Sequence, residues 1–590
     1  MRLMRTILCA CLVLGLLAIP AAASAQVSVF PGPGTRTANP QTQITFRGIS
    51  SAQLGSTPIT VTGSQSGVHS GSYAFDSDGQ GGSFIPSTPF TSGELVTVST
   101  PLQILGAANG TFRFKVVYPS GLLPYHPWPA AGRSRGDVQT FHSRPDLTPG
   151  ALSVDHQPHG TAPGDIFVAP QWGPLQDGPM ILDSRGQLLW FKSLPKGISA
   201  ADFQTQTYQG RLVLTWWQGY LNAGAGVGTD VINDSSYRQI ATVQAGNGMQ
   251  ADLHEFLITQ HNTALTTAVN AVWWDTRSVG GTSHQIVLDS VVQEIDIPTG
   301  LVLFQWDSLD HVPLSDSYDA IYKYKSSKDR APYNYFHINS VDLDDDGNLI
   351  VSARDTWTAY KVDYTSGAVI WRLGGKRSSF RLARGVYWAF QHDVRIRAQN
   401  DQFVTLFDDS AGPPAVHSQS RGIKLELDLK HMTAKQVESN VHQPPLSADY
   451  EGNVQQLPNL DNFVGWGAQP YFSEYNSRGS LIFDAHFIDY TSSYRAYRLP
   501  WSGSPVTQPA IATRSASHRR IVVYASWNGA THVRSWRVLG GSSANALRTV
   551  GTATKGGFET AITVGAQQYV AVQALDWSGR VMSTSPTVRG

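Results

Sequence analysis

Three histidines stand at matching positions of an internal repeat, and they are the clearest chemical signal in the chain. They lie in Asp252-Leu253-His254-Glu255-Phe256, Phe336-His337-Ile338-Asn339-Ser340 and Gln391-His392-Asp393-Val394-Arg395, each where a repeat opens. A neutral imidazole is a good nucleophile near neutral pH, and three imidazoles together can also bind zinc. One such histidine alone is more often structural, but three at equivalent positions indicate a shared site.

Arg354 helps to decide between a nucleophilic histidine site and a zinc site. It lies 17 residues after His337, at the end of the strand predicted to pair with the histidine strand. A guanidinium near the imidazoles disfavours a metal cation and favours an anion, which it can hold through two parallel hydrogen bonds. The pattern therefore favours chemistry on an anionic group, with a three-histidine metal site as the alternative.

The acidic stretch Asp342-Leu343-Asp344-Asp345-Asp346-Gly347 resembles the start of a calcium-binding loop. The acid expected at loop position 12 is missing, because Ala353 stands there, and a strand is predicted to follow instead of a helix. A plain hairpin turn is the favoured interpretation.

A second repeated element indicates how the histidines are positioned. Each copy has an acidic residue, a tight turn, a glycine and an apolar strand that ends in an aromatic residue. The glycines of four clear copies are Gly186, Gly300, Gly367 and Gly479, and weaker copies begin at Asp234 and Asp428. Six β-rich repeats within residues 146–502 predict a six-bladed β-propeller, whose innermost strands line one central channel. A row of separate sandwiches is the alternative.

The regions on either side, residues 26–145 and 503–590, are predicted to be β-sandwiches of an immunoglobulin or fibronectin type III kind. Short alternating strands recur there between Gly, Ser and Pro turns, and the pair Asn528-Gly529 predicts a hairpin. The run from Tyr569 to Asp576, followed by Ser578-Gly579, resembles the last hairpin of a fibronectin type III module. A Pro-rich stretch at residues 123–131 is the predicted linker. We expect the sandwiches to be spacers or docking domains, with possible contacts at a cell surface.

Composition agrees with an all-β fold. The 590 residues include 44 Lys+Arg and 44 Asp+Glu, so the formal charge is zero, which argues against a nucleic-acid-binding protein. Only 15% of the residues are charged, while glycines (55) and aromatic residues are plentiful, as suits short strands and tight turns.

The N-terminus predicts export. Arg2 and Arg5 precede an apolar stretch at residues 7–19, and Ala23-Ser24-Ala25 is typical of a cleavage site, so residues 1–25 are predicted to be a signal peptide cleaved near Ala25. An uncleaved anchor is the alternative, but the stretch is too short to span a bilayer and we expect no membrane span. The only cysteines, Cys9 and Cys11, fall in this segment. The mature protein is therefore expected to be secreted or periplasmic and free of disulfides.

Taken together, the motifs of residues 146–502 resemble the arylsulfotransferases that work without the nucleotide sulfate donor PAPS. The resemblance is concentrated in the segments 336–341, 350–354, 369–375 and 390–393, and it continues in 452–455, 464–467 and 471–475. Any one of these segments alone would be a weak signal, but together they are specific.

The resemblance implies a six-bladed propeller that moves a sulfuryl group from a phenolic sulfate ester to another phenol through a sulfated histidine. By motif that histidine is His392, and the surrounding residues are His254, His337, Asn339 and Arg354. A protonated His254 or His337 is expected to support the sulfuryl oxygens or protonate the departing phenolate. The implied partners are an aryl sulfate donor and a phenolic acceptor, with no cofactor, PAPS included. The alternatives are a non-catalytic propeller that binds a ligand or a cell-surface partner, and a metal-dependent hydrolase that uses the same three histidines.

Overall fold

The regular secondary structure is almost entirely β-strand, as predicted. The computed structural model describes residues 26–121, 137–222, 224–321, 332–397, 402–412, 414–488, 491–517 and 519–590. The predicted signal peptide and the predicted linker at residues 123–131 lie outside the described residues. Within the described part, every helix is too short or too polar to cross a bilayer.

The N-terminal region has two four-stranded sheets that share one apolar core. Their strand orders are β1-β2-β6-β5 and β4-β3-β7-β8, and Phe46, Val61, Phe84 and Val96 are buried together in the core. The strands are β1 (Ser28–Phe30), β2 (Ile44–Arg47), β3 (Thr60–Gly63), β4 (Gly67–His69), β5 (Gly71–Phe75), β6 (Gly81–Pro86), β7 (Leu95–Ser99) and β8 (Thr111–Lys115), and helix α1 spans Ser51–Ser56.

The central region begins with twelve strands. They are β9 (Leu152–His156), β10 (Asp165–Gln171), β11 (Met180–Leu182), β12 (Leu188–Phe191), β13 (Ser199–Tyr208), β14 (Arg211–Asn222), β15 (Ala225–Asn233), β16 (Gln239–Val243), β17 (Ala251–Ile258), β18 (Ala264–Trp274), β19 (Gln285–Ile295) and β20 (Val302–Asp307). Helix α2 (Ser308–His311) and two 3-10 turns, Arg277–Val279 and Leu314–Asp316, are also found here.

Fourteen further strands complete the central region. They are β21 (Ile338–Leu343), β22 (Leu349–Ala353), β23 (Thr358–Val362), β24 (Val369–Gly374), β25 (Arg381–Leu382), β26 (His392–Arg397), β27 (Phe403–Asp408), β28 (Arg421–Asp428), β29 (Thr433–Asn440), β30 (Asn453–Gln456), β31 (Asn462–Gly465), β32 (Tyr471–Tyr475), β33 (Leu481–Phe487) and β34 (Ser492–Leu499).

These strands pair as five sheets, in which the two ends of the region meet. Strand β34 pairs with β10, and β9 pairs with β33. The sheets are β12-β11-β10-β34, the eight-stranded β13 to β20, β21-β22-β23-β24, β25-β29-β28-β27-β26, and β30-β31-β32-β33-β9. The eight-stranded sheet holds two of the predicted repeats, because the pair Gly228 and Ala251 joins β15 to β17.

One strand from each predicted repeat packs against the next. The contacts run β13 to β17, β17 to β21, β21 to β26, β26 to β30, β30 to β34 and β34 back to β13. Strands such as β22 and β23 are buried on both faces, whereas β8 in the N-terminal region alternates between buried and exposed residues. This difference arises because neighbouring sheets cover both faces of the central strands.

The six predicted repeat turns each join the last two strands of a repeat. In every one a residue adopts a left-handed conformation, and these residues are Gly186, Tyr237, Gly300, Gly367, Met432 and Gly479. The weaker copies were harder to see because Tyr237 and Met432 take the position that glycine fills more easily elsewhere.

The C-terminal region has two sheets, β35-β36-β39 and β38-β37-β40-β41 with β42 on β40. Its strands are β35 (Ala510–Ser517), β36 (Arg520–Ser526), β37 (Ser535–Gly541), β38 (Arg548–Thr554), β39 (Glu559–Gly565), β40 (Tyr569–Leu575), β41 (Val581–Thr584) and β42 (Val588–Arg589).

One hairpin prediction in this region is confirmed and one is wrong. Strands β40 and β41 form the hairpin predicted at Ser578-Gly579. The turn at Asn528-Gly529 does not join a hairpin, because β36 and β37 lie in different sheets. Its Asn528 side chain instead hydrogen-bonds the backbone N–H and C=O of Phe191 in the central region.

Candidate active site

A cavity of about 230 Å³ collects four of the five predicted site residues. His254 reaches it from within β17, His337 from just before β21, His392 from the start of β26, and Arg354 from the end of β22. The remaining lining residues are Trp172, Leu221, Gly224, Ala225, Leu253, Tyr450, Glu451 and Tyr494. The repeat register therefore brings the three histidines to one cavity.

Backbone irregularities turn these side chains toward the cavity. His337, Phe390, Asp393 and Glu451 have φ values of 55°, 57°, 52° and 69°, in the left-handed region that non-glycine residues rarely adopt. The ladders of β21 and β26 shift register at these points. Such bulges re-aim side chains and are common beside active sites.

His392 presents the unprotonated Nε2 of its ring. Its Nδ1–H donates to Asp409 Oδ2 at 2.8 Å and to the Phe390 carbonyl at 3.1 Å, and a carbonyl can only accept. The Glu451 backbone N–H donates to Nε2 at 3.3 Å, so a lone pair is on that atom. Burial, helped by the positive charge of Arg354, lowers the pKa of His392 well below its usual range.

His337 has the opposite tautomer. Its Nδ1 accepts a hydrogen bond from Asn334 Nδ2 at 2.7 Å, which leaves the proton on Nε2. Burial and the neighbouring His254, Arg354 and His392 lower its pKa well below the usual range. The lowered pKa disfavours the protonated form expected for His337 and favours a neutral N–H donor.

His254 packs edge-on against His337, with the ring centroids 5.1 Å apart. Its Nδ1 makes a short contact with the Asp252 carboxylate, which is fully buried. Asp252 thus fixes the ring orientation and keeps a proton on Nδ1.

Arg354 has unused hydrogen-bonding capacity at the cavity. Its Nη1 donates to Asp355 Oδ1 at 2.7 Å, its Nη2 donates to the Asp449 carbonyl at 2.9 Å, and the guanidinium lies 4.7 Å from the Phe390 ring centroid. Its Nε is buried and has no hydrogen-bond partner among the described residues. A buried donor without a partner is costly, so this group is suited to an anionic ligand.

Asn339 lies behind the cavity and does not line it. Its Nδ2 donates to the Gln391 carbonyl at 2.6 Å, and its own carbonyl accepts from Tyr494 and Arg495, both at 2.9 Å. Asn339 therefore positions the segment that leads into His392.

Glu451 is a carboxyl group that sequence reasoning missed. It lines the cavity, is 7% exposed, and its Oε2 has no hydrogen-bond partner within the described part of the chain. Burial alone raises its pKa to about 8. Glu451 lies just before β30, near the position that His392 occupies at the start of β26. The repeat therefore indicated this position, but a glutamate does not match the histidine pattern.

Two carboxylates close to the histidines were also missed. Asp355 and Asp409 follow 18 and 17 residues after His337 and His392, each just past the second strand of its repeat. Asp355 Oδ2 lies 3.7 Å from His337 Nδ1, and Asp409 bonds His392 directly. An acid at this spacing after each histidine was the available signal.

A second group of charged residues lies on strands β13, β17, β26 and β34. We call it the buried charge network, and it consists of Asp202, Glu255, Asp393, Arg395 and Arg495. Arg495 is fully buried and lies 2.8 Å from Asp202 and 3.2 Å from Glu255, and Arg395 lies 2.6 Å from Glu255 and 2.7 Å from Asp393. Here each cation meets at least two carboxylates.

The metal-site alternatives gain no support from the side-chain arrangement. Across the described ranges, no group of three or more His, Cys, Asp or Glu side chains is placed to hold a metal ion. In the acidic turn, Lys361 Nζ lies 2.5 Å from Asp344 and 3.0 Å from Asp346, so an ammonium group occupies the space between these carboxylates.

Residues 204–488 match the sequence model of the family described as Arylsulfotransferase (ASST). No curated protein matches the chain. Among solved structures, it is similar to a protein of unknown function from Bacteroides caccae, with 11% identity, a TM-score of 0.35, and coverage of 57% of this chain and 98% of that one. It is also similar to the periplasmic gluconolactonase PpgL of Pseudomonas aeruginosa, with 13% identity, a TM-score of 0.31, and coverage of 72% and 96%. These structural similarities are too low to bear on function.

The family match is independent of the cavity, and it spans all five residues predicted from the motifs. It confirms the resemblance seen in the sequence. Residues 204–488, just under half of the chain, therefore resemble the arylsulfotransferase family.

Proposed function

We propose that this protein is an aryl sulfotransferase that moves a sulfuryl group from a phenolic sulfate ester to another phenol through a sulfated His392. The observation that carries the proposal is the tautomer of His392. Its Nδ1–H is held by Asp409 and the Phe390 carbonyl, so the nucleophilic lone pair is on Nε2 at the cavity.

The transfer takes place in two steps. In the first, Nε2 attacks sulfur and the bond from sulfur to the aryl oxygen breaks, with its electron pair leaving on the phenolate oxygen. In the second, the acceptor oxygen attacks sulfur and the N–S bond breaks, which returns the electron pair to Nε2. Splitting the exchange in this way lets donor and acceptor use one small cavity in turn.

Arg354 and His337 are the proposed stabilisers of the sulfuryl oxygens. Sulfuryl transfer resembles phosphoryl transfer, in which positioning and charge stabilisation on peripheral oxygens carry most of the catalysis. Arg354 supplies a guanidinium with a free Nε, and His337 supplies an N–H donor without a positive charge. Asp252 fixes the orientation of the His254 ring beside them.

The cavity suits an aromatic ring. Trp172, Leu221, Leu253, Tyr450 and Tyr494 give it largely apolar walls. An apolar cavity of about 150 Å³ is enough for benzene, so a volume of about 230 Å³ fits a single phenol. The aromatic side chains favour stacking or edge contacts with the ring.

We also propose the larger architecture and its setting. The closed series of contacts among β13, β17, β21, β26, β30 and β34, with six similar turns, supports a six-bladed propeller over about residues 146–502. The paired sheets on either side support sandwiches at 26–145 and 503–590. The N-terminal pattern supports cleavage near Ala25 and secretion or periplasmic export, and the mechanism needs no PAPS.

The test is transfer from 4-nitrophenyl sulfate to a second phenol, followed by release of 4-nitrophenol and by mass of the sulfated acceptor. We expect both products from the wild-type protein and neither from His392→Ala. Binding of a phenol without transfer would favour a non-catalytic ligand-binding propeller. Loss of activity with a chelator would favour a metal-dependent hydrolase.

A further inference from the structure

We propose that Glu451 is the catalytic acid and base of this transfer, protonating the departing phenolate and later removing the proton of the acceptor phenol. This inference rests on the proposed function. It identifies a residue outside the predicted histidine and arginine set.

The position of Glu451 is the first argument. It lines the cavity together with His392, and its backbone N–H contacts the His392 atom that attacks sulfur, at 3.3 Å. Its side chain is therefore attached directly beside the reacting centre. Glu451 has a left-handed backbone conformation, with a φ of 69°.

The lack of a partner is the second argument. Glu451 Oε2 is buried and accepts no hydrogen bond within the described ranges. Two other buried carboxylates near the site each contact a histidine through one oxygen, Asp409 with His392 and Asp252 with His254, although Asp409 Oδ1 also lacks a partner. A carboxyl group buried without a partner costs free energy unless a ligand meets it or it carries a proton.

The chemistry needs such a group. A phenol has a pKa near about 10, so at neutral pH a good acceptor arrives with its proton and a poor leaving group departs only if it gains one. His392 Nε2 is the nucleophile and His337 is held neutral, with its Nδ1 engaged by Asn334. His254 Nδ1 is engaged by Asp252, and among the described residues Glu451 is the carboxyl group that lines the cavity.

The proton balance closes over one cycle. In the first step Glu451 gives its proton to the phenolate oxygen as the sulfur–oxygen bond breaks, which leaves a phenol and a Glu451 carboxylate. In the second step the acceptor O–H proton passes to that carboxylate as the acceptor oxygen attacks sulfur. Glu451 and His392 then return to their starting forms, and no other reactant is needed. Burial raises the pKa of Glu451 to about 8, which agrees with a protonated starting form at neutral pH.

The experiment compares donors whose phenols differ as leaving groups. The full-length wild-type protein and Glu451→Gln are mixed with 4-nitrophenyl sulfate or phenyl sulfate, and the rate of phenol release is measured in a single turnover. The 4-nitrophenolate leaves readily without a proton, so we expect Glu451→Gln to lose less than about threefold with that donor. With phenyl sulfate we expect a loss of about 10²-fold or more, the usual contribution of a general acid.

Two further variants keep the test decisive. Glu426→Gln, on the outer strand β28, has the same change of group at a surface ion pair and should leave both rates unchanged. Glu451→Asp keeps an acid one methylene shorter and should retain more phenyl sulfate activity than Glu451→Gln.

The experiment distinguishes failure of the Glu451 role from failure of the proposed function. Equal losses with both donors, or no loss with either, would overturn the role of Glu451 while leaving the sulfotransferase proposal intact. Failure of the wild-type protein to release 4-nitrophenol would instead overturn the proposed function.

Discussion

The cavity and the buried charge network stand side by side on the same strands, yet they treat their polar groups differently. In the network, Arg495 and Arg395 each meet two or more carboxylates. At the cavity, Arg354 Nε and Glu451 Oε2 have no hydrogen-bond partner among the residues described. The pairs His254 and Glu255, His392 and Asp393, and Tyr494 and Arg495 show that one step along a strand separates the two environments.

This difference indicates what each group is for. Charges that are paired in the protein hold the strands together, and removing one partner leaves the other uncompensated. Polar groups without partners that line a cavity, such as Arg354 Nε and Glu451 Oε2, are available to a ligand. Changes at the cavity should therefore affect activity, and changes in the network should affect stability.

The largest effect is expected for His392→Ala. The variant lacks the proposed nucleophile, so we expect sulfuryl transfer to fall to background. The free energy of unfolding should change far less than the activity, as measured by urea denaturation. Residual transfer above about one thousandth of wild type would show that His392 is not the nucleophile.

The network is tested by Arg495→Met. Removing this cation takes the guanidinium partner from Asp202 and one of two from Glu255, and we expect the free energy of unfolding to fall by about 3–5 kcal/mol. The matched control is Arg580→Met, at an exposed ion pair with Asp576, where the change should stay below about 1 kcal/mol. Equal effects of the two variants in urea denaturation would contradict a structural role for the network.

Arg354→Ala should lower kcat/KM about 10²–10³-fold with little change in stability. The reason is that, in the proposed mechanism, its guanidinium stabilises charge that develops in the transition state. Arg354→Lys should recover only part of this loss, because an ammonium cannot form the forked pair of hydrogen bonds. A stability loss that matched the loss of activity would place Arg354 with the network.

The pH dependence of adduct formation tests whether Arg354 acts on His392. The positive charge of Arg354 helps to lower the pKa of His392, so in wild type His392 stays neutral well below pH 6.5 and adduct formation should persist there. In Arg354→Ala the pKa of His392 should rise, so His392 should become protonated at a higher pH. The acid limb of the adduct-formation profile should therefore move to higher pH, and an unmoved limb would show that Arg354 does not act on His392.

The smallest effect is expected at the contact between the N-terminal and central regions. Arg36 Nε lies 3.1 Å from Asp310 Oδ1, and neither residue lines the cavity. The side chain of Arg36 is more than half exposed. Arg36→Ala should change turnover by less than about twofold, since surface ion pairs contribute little. A large loss of kcat would show that this flanking region completes the site.

Much of the site could be predicted because it follows the repeat. The register of His254, His337 and His392 placed them on successive strands, and Arg354 followed from its distance to His337. Glu451 was missed because it stands at a repeat position without being a histidine. The hairpin predicted at Asn528-Gly529 failed because turn propensity is local, whereas the choice of sheet partner depends on packing of distant strands. The tautomers of His392 and His337 could not be predicted either, since they depend on Asp409 and Asn334 and on the depth of burial.

The most direct test of the central claim is to trap the covalent intermediate. The wild-type protein is incubated with 4-nitrophenyl sulfate without an acceptor, quenched under mildly basic conditions, digested and mapped by mass spectrometry. We predict a sulfuryl adduct on the peptide that contains His392, and its transfer to a phenol added afterwards. An adduct on His254 or His337, or release of 4-nitrophenol with no adduct on any histidine, would contradict the account.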